Sequence, residues 1–526
     1  MQVKFKPIFA LCLAAVLTAP VFAADTSVEA QLAALQKEVS ALKSQVKTNK
    51  KAESSKKTAQ VRFHGIPETP HASRFETPAT QSPTSATSDT NQPGHLSRKQ
   101  IAAFIAQERE FLPFDLDVPG QAFVSTGPYV GVPLQFAGNN LVVNSPSVNT
   151  DAQLLSIRKS IHQQLLAMGG EIFQEPYHSH LLLSGVVEGQ ANYINHGGSP
   201  STTDIDVTNV SLDAFFIGPS EWTLGFIEFS YDGNGPANSV YTSNNNYRVS
   251  NSRVYINKAF ITLGNFEKTP FYATIGQVYV PFGVYSSVMI SDTLTKLLGR
   301  TKARAIELGF MQQKTNAFYG SAFIFRGDSH ANSVAKVNNG GLNAGYKFDH
   351  GFFVGNIGGG VIANLADAAG LQLTGFAGNE QLVHRVPGYD LRGVLSFGEH
   401  LDWINEYVLA STTFNPNDMS YNNSGAKPWA FDTQLSYSFM MFDNKPSNIG
   451  IGYAASGEAL AIGLPLRRYN IAFNTSVWRN TLQSIEFCHD REYAASNTGT
   501  IAGTSPTLNQ TGKSDNSVTA QFDYYF

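Results

Sequence analysis

The sequence predicts an all-β protein whose residues 178–526 close into a 16-stranded antiparallel transmembrane barrel, and three observations predict it. First, the chain ends "SVTAQFDYYF": Val518, Ala520, Phe522, Tyr524 and Phe526 point one way, and Thr519, Gln521, Asp523 and Tyr525 the other. Strict alternation makes a strand with two unlike faces, and a terminal aromatic residue marks the closing strand of outer-membrane barrels. Second, candidate strands recur near 179–193, 205–217, 221–231, 253–265, 270–280, 303–311, 315–326, 339–348, 352–364, 391–398, 401–411, 427–440, 447–456, 466–477, 481–493 and 515–526. Their number is even, as single-chain bacterial barrels require. Third, the connections alternate in length. Short ones such as "QKT", "DHG" and "GEH" take turns with long polar ones such as "DGNGPANSVYTSNNNYRVSN" and "AASNTGTIAGTSPTLNQTGKSD". Short turns on one side of a membrane and long loops on the other give that parity; a soluble sandwich has no reason to sort its loops.

Composition agrees. Charged residues are 15%, aromatics 12% and glycines 45 in number, while mean hydropathy is only −0.15. Beyond residue 24 there is no apolar run of about 20 residues, the length a spanning helix needs. A barrel hides its membrane signal because lipid-facing and lumen-facing residues alternate, and closure leaves no unpaired edge in lipid. Formal net charge of −4 gives no footprint for nucleic acid.

The segments before the barrel follow in order. Residues 1–23 read as a secretory signal: Lys4 and Lys6, an apolar core from Ile8 to Leu17, and the small-residue end Val21-Phe22-Ala23. Cys12 lies within it, so the mature chain keeps Cys488 alone and no intramolecular disulfide is expected. Over 24–47, Val28, Leu32, Leu35, Val39, Leu42 and Val46 follow a 4-3-4-3-4 spacing, a heptad seam expected to form a coiled coil and join copies of the chain. Valine at a and leucine at d favour dimers in simple peptides, whereas porins are commonly trimers, so the seam leaves the number open. Residues 48–97, Lys-rich and then Thr/Ser/Pro-rich, read as a flexible tether. Residues 98–177 read as a mixed α/β plug or periplasmic segment. It comprises the helix "SRKQIAAFIAQEREF", two small strands within "VSTGPYVGVPLQFAGNNLVVN", and a second helix from Asp151 to Met168 that stops at Gly169-Gly170.

A barrel of this size encloses water, so passage or capture of a solute is the expected function. The connection after the fifth strand, "PFGVYSSVMISDTLTKLLGRTK" (Pro281–Lys302), carries Lys296, Arg300 and Lys302, with Arg304 just beyond, against one acid, Asp292. In general sixteen-stranded porins this loop folds inward, where cations would favour anions. The four cations are therefore the candidate ligand-binding residues; the alternative places them outside, against anions of the lipid leaflet. His178 and His180 share a strand face but have no carboxylate cluster near them. Cys488-His489-Asp490 cannot converge, because consecutive strand residues face opposite sides. No phosphate loop, nucleophile elbow or zinc motif is found. The chain is expected to be a non-enzyme without a cofactor, in the outer membrane of a Gram-negative bacterium, in contact with its lipid and lipopolysaccharide.

The heptad, the tether, "GPYVGVPLQFAGNNLVVNSPSVNTDAQLL" and "AFITLGNFEKTPFYATIGQVYVPFGVYSSVMISDTLTKLLGRTKA" together resemble the LbtU-like siderophore porins, outer-membrane proteins of intracellular gamma-proteobacteria linked to iron uptake. The resemblance implies a receptor or channel for a ferric siderophore, a cargo often anionic, working without a large energised plug. It carries over no ligand residue. A structural barrel or adhesin, held to the cell wall through the coiled coil, is the alternative.

Overall fold

The computed structural model describes residues 115–118, 122–126, 150–167 and 179–526, except 198, 219, 233–252, 332–335, 377–380, 399, 442–444, 479 and 502–511. The expected signal, coiled coil and tether, the helix expected over 97–111 and His178 lie outside the described residues.

All sixteen expected strands are present: β1 Ser179–Asn195, β2 Thr202–Ile217, β3 Thr223–Asp232, β4 Arg253–Gly264, β5 Phe271–Tyr279, β6 Lys302–Met311, β7 Ala317–Arg326 and β8 Val337–Asp349. The second half comprises β9 Phe353–Ile362, β10 Gly388–Phe397, β11 Leu401–Ala410, β12 Trp429–Met441, β13 Lys445–Gly457, β14 Arg467–Thr475, β15 Thr481–Arg491 and β16 Ser514–Tyr525. Each pairs antiparallel with its sequence neighbour, and β16 returns to β1 in the register Asn516–Asn195 to Tyr525–Val186. The sheet is closed. At one rim the connections are 218–222, 265–270, 312–316, 350–352, 398–400, 442–444 and 476–480; the long ones, including 280–301 and 363–387, lie at the other.

Alternation sorts the side chains as the pleat demands. On β6, Ile306 and Leu308 are exposed on the outside while Ala305 and Glu307 are buried inside; on β11, Trp403 faces out while Asp402, Ile404 and Glu406 face in. On β16, Phe522 and Tyr524 are exposed, whereas Gln521 and Asp523 are buried. A band of large apolar residues therefore coats the outside and polar groups line the inside, the division a lipid-spanning barrel needs.

The short-turn mouth is occupied from within. Helix α1 (Thr150–Ala167), close to where the sequence placed it, buries Ala152, Leu154 and Leu155 completely. These three belong to one apolar cluster with the inward-facing Phe215, Leu224, Phe226, Phe260 and Tyr272 of β2 to β5. Those wall positions are apolar because a helix covers them, and each buried leucine contributes roughly 1.5–3 kcal/mol. Polar contacts set the helix's place: Thr274 donates to Asp151 Oδ2 (2.6 Å), and Arg158 Nη2 donates to the Gly264 carbonyl (2.5 Å). Gly264 must lack a side chain, since a Cβ would stand 3.0 Å from Leu155 Cδ1 and 2.9 Å from Tyr272 Cβ.

Of 124–144, where the sequence places two small strands, only 124–126 lie among the described residues, at the end of a strand pair that begins earlier. Asp115–Val118 pairs antiparallel with Ala122–Thr126, which runs parallel to Ser179–Leu183 of β1. Strand β16 does not extend to that stretch of β1, and the strand pair covers the edge that would otherwise be bare.

Above the other mouth, the long connections fold against one another. The short strand Met419–Tyr421 pairs with Gly499–Ile501 and with Ser424–Gly425, joining 411–428 to 492–513. Leu371, Phe376, Phe414, Met419 and Ile501 are buried there in one cluster.

Candidate functional site

Connection 280–301 enters the barrel and crosses to the far wall. It leaves β5 and rejoins at β6, yet its backbone is hydrogen-bonded to inward side chains of β11, β12, β14 and β15. Gly283 (φ 77°) and Tyr285 (φ 59°) are both left-handed. At that turn Glu406 of β11 accepts the amides of Val284 (2.7 Å) and Tyr285 (2.8 Å), one on each carboxylate oxygen. Gln434 of β12 accepts the amide of Val288 (3.0 Å), whose carbonyl takes Asn474 Nδ2 of β14 (2.9 Å). Glu486 of β15 accepts the amides of Ile290 (2.5 Å) and Ser291 (2.8 Å) and the Ser291 hydroxyl (2.6 Å). Arg468 of β14 donates to the Asp292 carbonyl (3.0 Å).

An extended loop cannot satisfy its own backbone, and burying bare amides is costly. The wall supplies the missing partners, and hydrogen bonds to charged acceptors are the strong kind. Tyr285 is fully buried. Its hydroxyl donates to the Phe282 carbonyl (2.7 Å), and burial, reinforced by the Glu406 carboxylate, pushes that phenol well above its usual range.

The loop then forms the short helix α2 (Leu294–Gly299), capped by Thr293, whose hydroxyl accepts the Lys296 amide at 3.1 Å. Leu294 and Leu298 are buried in the central apolar cluster. The Ala369 amide donates to the Arg300 carbonyl (2.8 Å), which ties the helix to connection 363–387.

The four candidate cations are not gathered at one point. Lys296 is buried and paired with Asp292 (2.6 Å). Arg300 is half-buried, its guanidinium 5.3 Å from the centre of the Tyr279 ring, with a buried Nε that has no hydrogen-bond partner among the described residues. Lys302 donates to Asn257 Oδ1 (3.1 Å), its ammonium 5.9 Å from the same ring. Arg300 and Lys302 thus both lie near Tyr279, as does the Lys258 ammonium at 6.0 Å from its ring. Arg304 is exposed and shares the outer face of β6 with Ile306 and Leu308.

The lumen wall holds further charges. Lys258 pairs with Glu228 (2.7 Å), Arg392 with Asp390, and Arg468 with Asp490 through two bonds of 2.7 Å. Glu307, Asp402, Asp432 and Asp523 are also inward and buried. Cys488 and Asp490 lie on the inner face with the thiol 3.6 Å from the carboxylate, while His489 bonds Asn516; the three do not converge. Among the described residues, no group of three or more His, Cys, Asp or Glu could hold a metal ion.

Sequence reasoning missed Glu406, Gln434, Asn474 and Glu486. The available signal was inward parity alone, which Glu406 in "LDWINEYVLA" and Glu486 in "TLQSIEFCHDR" share with other polar residues of the same strands.

No family model matches the chain. The UPF0422 protein of Coxiella burnetii is 38% identical over 407 residues, covering 77% of this chain and 84% of that protein. A UPF0422 protein of Legionella pneumophila strain Philadelphia 1 is 35% identical over 423 residues, covering 77% and 76%. This chain belongs to the UPF0422 family. That family name states no cargo, and what the fold of this UPF0422 protein shares with the resemblance drawn from sequence is the closed sixteen-stranded barrel. Among solved structures, similarity extends to the outer membrane channel DcaP of Acinetobacter baumannii (16% identity, TM-score 0.43, 66% of this chain and 97% of that one). An anion-selective porin from Comamonas acidovorans is also similar (9% identity, TM-score 0.43, 66% and 100%).

Proposed function

We propose that this UPF0422 protein is a solute channel of the Gram-negative outer membrane, in which connection 280–301 sets the narrowest passage. The observation that carries this reading is the hanging of that loop across the lumen on Glu406, Gln434, Asn474 and Glu486. A purely structural barrel has no need to hold a loop inside itself. The cargo we propose is a small anion, with a ferric siderophore as the candidate that the resemblance implies. Arg300, in the inward connection, and Lys302, where that connection rejoins β6, both near Tyr279, supply the positive charge, because oxyanions are attracted to such groups where low-dielectric walls focus the field.

One observation favours a second reading. The inner wall carries Glu307, Asp402, Asp432 and Asp523 in addition to its ion pairs, and that excess of acid would draw cations instead.

Reversal potentials across planar bilayers separate the two. With the full chain, the first reading expects anion preference, reduced by Arg300→Gln with Lys302→Gln. Cation preference untouched by that change would establish the second, and no conductance at all would leave a structural barrel or adhesin. Uptake of radiolabelled ferric siderophore by a deletion strain tests the cargo; unimpaired uptake removes it.

A further inference from the structure

The ladder between β4 and β5 stops at Ala259–Gln277, although β4 begins at Arg253 and β5 runs on to Tyr279. The cause is local. Gly276 has φ +149°, and a Cβ there would drive into the Ala259 carbonyl and the Phe260 backbone, so only glycine lets β5 diverge at that point. The Gln277 side chain substitutes for the missing ladder, donating to the carbonyls of Ile256 (2.9 Å) and Asn257 (3.0 Å). A groove of about 740 Å³ results at the long-connection end of the wall.

Register gives the groove two chemistries. Ile275 lies opposite Ile306, and Ile306 opposite Ile324; they are 55%, 47% and 41% exposed, an apolar floor on the face that meets lipid. One row nearer the rim, Gln277 lies opposite Arg304, and the pairing of Ala305 with Phe325 sets Arg304 beside Arg326. Both arginines are exposed and line the groove. Neither side chain has a hydrogen bond or ion pair among the described residues, and no acidic residue is among those lining the groove. Like charges directly opposite in a sheet repel, and no acidic group among the described residues lining the groove offsets them. Two guanidiniums above a greasy strip match a molecule with an anionic head and an apolar tail.

We propose that this groove binds a phosphorylated lipid of the outer leaflet, with its phosphate held by Arg304 and Arg326 and an acyl chain along Ile275, Ile306 and Ile324. Guanidinium suits phosphate because its planar fork makes two parallel hydrogen bonds. The site lies on the outer wall and stands independently of what crosses the lumen.

The test uses the full chain in detergent, freed of bound lipid, with diphosphorylated lipid A as probe and native mass spectrometry as readout. Wild type is expected to retain the probe, and Arg304→Gln with Arg326→Gln to weaken it about tenfold or more, the loss of charge-assisted pairing. Dephosphorylated lipid A is expected to bind the wild type as weakly as the phosphorylated form binds the variant, and excess inorganic phosphate not to displace the probe. An unshifted heat-modification temperature shows that the variant still folds; if it does not, Ile306→Asn gives a second variant that also weakens the probe. Equal binding by the double variant, or by the dephosphorylated lipid, overturns the proposal. So does full displacement by inorganic phosphate, or a changed oligomeric state with lipid retention intact, which would assign the groove to contact between copies of the chain.

Discussion

Phe526 and Gly185 exchange both of their backbone hydrogen bonds: the Phe526 amide donates to the Gly185 carbonyl (3.0 Å) and the Gly185 amide to the Phe526 carbonyl (2.7 Å). The last residue of the chain is therefore the seam of the barrel. Its ring lies over Gly185, in the space a Cβ at 185 would take, with the Ser211 carbonyl on the other side. An aromatic ring covering a strand glycine is a recurrent way to pin register.

Substituting Gly185→Val is expected to block that ring and strain the seam. Deleting Phe526 removes the two hydrogen bonds, each contributing about 1 kcal/mol. Both should lower the temperature at which the folded band converts to the unfolded one on a detergent gel, Gly185→Val by more. Wild-type conversion in both would mean that closure does not depend on this contact.

Replacing the loop's anchors should widen the passage without unfolding the wall. Glu406→Ala and Glu486→Ala each leave two or more donors of the loop, one buried and the rest half-buried, without their acceptor, a cost of roughly 2–3 kcal/mol per site. Single-channel conductance should rise in each and rise further in the double variant, while heat-modification temperature changes little. A conductance equal to wild type would place the narrowest point elsewhere.

Helix α1 should be separable from the wall. Leu154→Asp with Leu155→Asp puts two carboxylates into an apolar cluster, and Gly264→Val fills the space Leu155 uses. Both changes should expel the helix and expose 150–167 to protease, with conductance raised. Continued protection of that segment would show that the polar contacts of Asp151 and Arg158 alone hold it.

Stability between the long connections should depend on pH in a defined sense. Asp367, on the short turn Leu365–Asp367 in connection 363–387, accepts from the Ser329 amide (2.8 Å) and Asn339 Nδ2 (2.7 Å). Burial still pushes its carboxyl above the ordinary range, those two donors only partly opposing it. A raised carboxyl pKa means that the folded state favours the protonated form. Its contribution is complete below the ordinary carboxyl pKa and is lost as pH rises through the raised value. Hydrogen-exchange protection around Ser329 should therefore fall from mildly acidic to neutral buffer, and Asp367→Asn should flatten that fall. A variant with the same slope as wild type would assign it to another group.

The alternation of "SVTAQFDYYF", the sixteen strand segments and the parity of their connections were legible in the chain alone. Each is a local consequence of the pleat and of the different lengths of chain needed on the two sides of a membrane. Helix α1 was legible for the same kind of reason, its apolar residues recurring at helical spacing up to a pair of glycines.

What folding decided is where side chains far apart in sequence meet. Glu406, Gln434 and Glu486 read as inward polar residues among several on their strands; only barrel closure brings them opposite amides 120 to 200 residues away. Arg304 lies two residues from Lys302 and so shares its parity on β6; it is exposed on the outer face with Ile306 and Leu308, and the register of β6 with β7 gives it Arg326 as a neighbour. Periodicity is written residue by residue, so sequence carries it openly. Which face a loop's charges meet, and what partner waits there, depends on closure and register, which appear only when the cylinder is formed.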